Sequence, residues 1–81
     1  MDLNERIRAA VVEESSWNPA TELTDDYPLI DQQVLDSMSL FALVTRLEAD
    51  FGISIPDEEL LPENFETVET IVALVTAKQD A

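Results

Sequence analysis

Three stretches of this 81-residue chain set apolar side chains at helical intervals, and none alternates convincingly in the manner of a strand. In the first, Leu3, Ile7, Ala10 and Val11 recur at i, i+4, i+7 and i+8, one stripe of a helix. Asp2 with Glu5 three residues on has the spacing of a capping box, with Asp in place of the usual Ser or Thr. This helix is expected to fade near Glu14 to Ser16, ahead of the turn signal Trp17-Asn18-Pro19. The second helix should run from Ser37 to about Asp50, with Gly52 as its stop. Leu40, Leu43, Val44, Leu47 and Phe51 fall within one arc of it and predict a core stripe. The last should run from about Thr67 to Ala77, with Thr67 as N-cap and Val68, Ile71, Val72 and Val75 inward.

The connections complete the expected architecture. A long one, from about Ser15 to Asp36, carries Pro19 and Pro28 but also Leu23, Tyr27, Leu29 and Ile30. A structureless loop of that length is unusual in a compact domain, so its apolar residues should pin it to the core, with Trp17 and Tyr27 as anchors. Ile53-Ser54-Ile55-Pro56 is too short for a strand, and Asp57 to Leu61 should form a single turn closed by Pro62. The expectation is an all-α fold: a small helical bundle of three main helices plus one short helix, with a long loop between the first and second, as one domain over residues 1–81.

Composition removes whole classes of function. There is no cysteine and no histidine, which takes away disulfides, thiolate metal sites, the commonest general base and most familiar catalytic triads. With 18 Asp and Glu against 4 Lys and Arg, the formal net charge is -14. Such a field repels nucleic acid and anionic membrane, favours basic protein partners and suits a monomer. No stretch has the ligand spacing of a calcium loop. Acids at Asp2 and Glu5 do not resemble a signal peptide, and no apolar run approaches the roughly 20 residues of a membrane span, so a cytoplasmic location is expected.

The chemistry-bearing stretch is Val34-Leu35-Asp36-Ser37-Met38-Ser39-Leu40. Either Ser37 or Asp36 could cap the helix that begins there, and a carboxylate also suits the positive end of the helix dipole. Met38, Phe41 and Thr45 lie off the core arc, toward the opposite side. The two large apolar residues among them form a docking patch or pack beneath the long loop.

Asp36-Ser37-Met38 opens a helix continuing through Leu43, Val44, Leu47, Glu48 and Phe51, followed by Gly52-Ile53, Ile55-Pro56-Asp57-Glu58 and Thr67-Val68. In this register the chain closely resembles the acyl and peptidyl carrier proteins of the free-standing type, most sharply from about Leu29 to Val75. The resemblance implies that a phosphopantetheinyl transferase moves 4'-phosphopantetheine from coenzyme A onto Ser37. The thiol of that arm then holds an acyl, aminoacyl or polyketide group as a thioester. It implies a non-catalytic protein served by an adenylating or acyl-loading enzyme and by condensing, tailoring or thioesterase enzymes. Asp36 would take part in recognition by the transferase, and Met38, Phe41 and Thr45 would meet partner enzymes. Glu48, Asp50, Asp57, Glu58 and Glu59 would form an anionic rim. Leu35 stands where fatty-acid carriers usually have Gly, Met38 where Leu is commoner, and Ala42 and Thr45 where those carriers are acidic or bulky. These departures point toward a nonribosomal peptide, polyketide or D-alanine-type pathway. The rival reading is an unmodified acidic interaction module. A serine-nucleophile enzyme would need a base, and Lys78, the lone lysine, is expected near a frayed C-terminus.

Overall fold

The computed structural model describes residues 2–80 and places three α-helices, α1 (Leu3–Glu14), α2 (Ser37–Phe51) and α3 (Val68–Gln79), around one apolar core. Two single 3₁₀ turns, Asp57–Glu59 and Pro62–Asn64, lie between α2 and α3. The fold is therefore all-α among the described residues, with a long loop between α1 and α2.

Local chemistry sets each helix end. Asp2 caps α1 by accepting a hydrogen bond from the Glu5 amide. Gly52 ends α2 at φ 62°, the left-handed conformation that costs an L side chain most. Thr67 caps α3 in a reciprocal box with Thr70, each side chain bonding the other's backbone amide at 3.1 Å. The helix runs two residues beyond the expected Ala77, and Lys78, inside its last turn, forms an ion pair with Glu59. Lys78 is thus part of the packed structure, contrary to the frayed end expected from its position. Pro62 corrects a second expectation: it opens another 3₁₀ turn, where its missing N–H costs nothing.

The core is built from the predicted stripes. Ile7 and Val11 of α1, Leu43 and Leu47 of α2, and Val68, Ile71 and Val75 of α3 are fully buried, with Phe65 and Leu29 filling the space between them. Leu40, Phe51 and Val72 sit at the edge of that core, half-buried.

The long loop is fastened at several points. Trp17 and Tyr27 meet edge to face with ring centroids 4.7 Å apart, and Trp17 Nε1 donates to the Thr21 carbonyl at 2.8 Å. Leu23 and Leu29 enter the core. The Asp25 carbonyl accepts from the Glu69 amide at 3.1 Å, satisfying a free donor in the first turn of α3. Its carboxylate pairs with Arg8 of α1 and accepts from Asn4. One residue thereby joins the loop to two helices.

Arg8 at Asp25 favours the charged carboxylate and holds its pKa below the ordinary 3.8. A depressed pKa contributes stability that is present above the unfolded value and lost as pH falls through the folded one. The melting temperature of Asp25→Asn should therefore lie below that of the parent by a constant margin above about pH 5, and the margin should close below pH 3.8. Thermal melts across pH check this.

Candidate functional site

Ser37 stands at the end of a short, tightly bonded approach. The Leu29 amide donates to the Glu66 carbonyl at 2.7 Å, and the Leu29 carbonyl accepts from Val34 and Leu35 at 2.9 and 3.1 Å. Gln33 makes this return possible by taking φ 59°, a left-handed conformation that few non-glycine residues adopt. Val34 and Leu35 are then buried, and the chain emerges at Asp36 and Ser37, both exposed. The burial of Val34 and Leu35 gave no sign in the helical periodicity, because they belong to the loop.

Of the two candidate caps, the structure selects Asp36. Its carboxylate accepts the Ser39 amide at 2.8 Å, and its carbonyl accepts the Leu40 amide at 2.8 Å. The Ser39 amide, then the Ser39 hydroxyl, stabilise the charged form and lower the Asp36 pKa from its ordinary value. Ser37 is the first helical residue of α2, so its hydroxyl is relieved of capping and faces solvent at the positive end of the helix.

Beyond Ser37, α2 presents an apolar outer face. Met38 is 83% exposed and Phe41 71% exposed, which excludes packing beneath the loop. Thr45 is exposed on the same side, and its hydroxyl donates to the Phe41 carbonyl at 3.0 Å. That bond satisfies the hydroxyl within the helix. From Ser37 to Leu47, α2 contains no carboxylate in a chain with 18 of them. Large side chains left this bare on a small domain mark an interaction surface more often than a chance exposure.

The five acids read as a rim separate into two groups. Glu48 turns inward to accept the Ile55 amide at 2.9 Å, Asp50 accepts from Arg46 at 3.2 Å, and Glu59 pairs with Lys78. Asp57 and Glu58 are exposed. Glu48 therefore organises the turn after Gly52, a role invisible until the chain's return path is known.

The family described as "Phosphopantetheine attachment site" matches residues 5–75. This chain belongs to that carrier-protein family. It is 38% identical over 79 residues to an acyl carrier protein of Helicobacter hepaticus, covering 98% of this chain and 100% of that one. Aminoacyl carrier protein 1 of Bradyrhizobium diazoefficiens is 39% identical over 56 residues, 69% of this chain and 61% of the relative. A D-alanyl carrier protein of Lactococcus lactis subsp. lactis is 38% identical over 55 residues, 68% of this chain and 70% of the relative. The protein is a phosphopantetheine-dependent carrier, and its cofactor is covalently attached 4'-phosphopantetheine.

The start of α2 fits such a group. It offers an exposed hydroxyl outside the cap, on a rigid junction, beside a helix end that favours phosphate oxygens. The arm supplies the thiol that neither cysteine nor any other residue of this chain provides. Replacing Asp36 with Ala should cost about 1 kcal/mol in urea denaturation and speed exchange of the Ser39 amide proton, because the cap bond is lost.

Proposed function

We propose that Ser37 is the attachment point, that Asp36 helps a phosphopantetheinyl transferase recognise it, and that Met38, Phe41 and Thr45 form the face on which partner enzymes dock. The observation that carries this reading is the division of labour at the helix start: Asp36 makes the cap bond, and the neighbouring hydroxyl is left exposed. Attachment there creates a phosphodiester at Ser37 Oγ, with the 3',5'-ADP part of coenzyme A as leaving group. The chain contributes position and a fixed orientation, and the pathway enzymes supply the acids and bases. The protein is non-catalytic, one domain over residues 1–81, monomeric, and works in the cytoplasm; the large negative charge and the cysteine-free composition support this.

Its partners are the transferase, an adenylating or acyl-loading enzyme, and condensing, tailoring or thioesterase enzymes. The pathway is of the nonribosomal peptide, polyketide or D-alanine type. That choice is supported by the uncharged outer face of α2 with Ala42 and Thr45 on it, and by the aminoacyl and D-alanyl carriers among the relatives. An apolar face of this kind favours short-range packing with an enzyme, while the overall negative field speeds the encounter.

Incubation with coenzyme A, magnesium and a promiscuous transferase should add one phosphopantetheine to the parent protein by intact mass, and none to Ser37→Ala. A folded parent that gains nothing with several transferases would instead be an unmodified interaction module. Met38→Glu and Phe41→Glu should each lower turnover by partner enzymes by about tenfold or more with little change in melting temperature. Equal losses of stability and activity would place the two side chains in the core.

A further inference from the structure

A concave surface lies between the outer side of α1 and the long loop. Ile7, Ala10 and Val11 turn one side of α1 into the core, while Ala9 and Val12 lie around the helix from them and form the floor of a groove. Pro19 and Leu23 form its loop wall. Its volume is about 280 Å³, at the lower bound of what a drug-sized molecule needs but ample for a protruding side chain.

The groove is built into the fold. The loop wall is held by the Trp17 to Thr21 bond at 2.8 Å, by the Thr21 amide on Asn18 O at 3.0 Å, and by the Ala20 amide on Asn18 Oδ1 at 2.9 Å. Arg8 also lines the groove, and its guanidinium is neutralised there by the ion pair with Asp25. Ala9 and Val12, two small residues, face that internally bonded loop wall. An occupant therefore finds the site already formed and pays little to order it.

Charge selects the occupant. Glu5 and Glu22 stand exposed at the groove, and with Arg8 paired they leave its rim negative within a chain of net charge -14. We propose that this groove is a second docking surface, which receives one aliphatic side chain from a cationic segment of a partner protein, with flanking Lys or Arg residues facing Glu5 and Glu22. It does not use Ser37, and it stands whether or not the arm is attached. Because α1 and α2 meet through their buried sides, a protein seated on Met38 and Phe41 leaves this surface available. One buried side chain and two exposed charge pairs give weak binding, with Kd on the order of 1 mM. Such a contact is suited to tethering, since joined to the α2 face it raises the effective concentration of an enzyme without holding it.

The test is a titration of the uniformly ¹⁵N-labelled protein, followed by amide shifts, with three short synthetic peptides. One has leucine flanked by lysines, one has serine in place of the leucine, and one has glutamates in place of the lysines. The lysine-leucine peptide should shift the amides of Ala9, Val12, Thr21 and Leu23. Its affinity should fall about tenfold in Ala9→Leu, which fills the groove from a half-buried position at its floor and keeps the helical spectrum. Shifts confined to Met38 and Phe41, or equal shifts from the serine peptide, would overturn the proposal. Equal shifts from the glutamate-flanked peptide would mean an apolar ligand pocket without charge selection, and would overturn it too. Absence of shifts at several millimolar peptide would do the same.

Discussion

The position of Ser37 depends on the backbone of one buried leucine. Leu29 donates to the segment that leads into α3 and accepts two amides from the segment that leads into α2. Its side chain is fully buried in the core. The start of α2 is thus tied, through a single peptide unit on either side of Leu29, to the start of α3. A loop of this length would otherwise leave the helix entry free to wander. A carrier needs the reverse, because an arm attached to a wandering point would sweep its cargo through a larger volume and meet each enzyme less often.

Electrostatics is allotted just as narrowly. The chain's 4 basic residues all act inside the molecule. Arg6 lies over the Phe51 ring at 4.4 Å from its centroid, Arg8 holds Asp25, Arg46 reaches Glu13, Glu14 and Asp50, and Lys78 holds Glu59. Most of these contacts join different elements, so the scarce cations serve as cross-links between helices and loop. Individually such half-exposed pairs contribute little, and burial of the apolar stripes carries most of the stability. The surface that remains carries the chain's excess of acids, interrupted along the outer side of α2 by Met38, Phe41 and Thr45.

Much of this was legible from the residues. Helical spacing located all three helices, because a stripe such as Val68, Ile71 and Val75 has no other economical reading. The same geometry put Met38 and Phe41 off the core arc but left open whether they packed beneath the loop, and only the loop's path decides that they are exposed. Asp36 and Ser37 could not be separated as caps, since both side chains accept the same amides with similar preference and only the backbone register decides. The inward turn of Glu48, the second 3₁₀ turn at Pro62 and the anchoring of Lys78 depend on contacts distant in sequence, which composition and period do not encode. The α1 groove was illegible for a further reason: it is a space, defined by two small residues facing a loop whose path was unknown.

The edge-to-face contact of Trp17 with Tyr27 has an optical consequence. Trp17 is the chain's one indole, and it lies in the loop, held to Thr21 and against the chain's one phenol. Its emission therefore reports the seating of the loop on the bundle. Ser37, the proposed attachment point, lies at the far end of that loop in sequence, so fluorescence can follow loop detachment separately from changes at Ser37. The molecule carries its own probe of the loop that leads into Ser37.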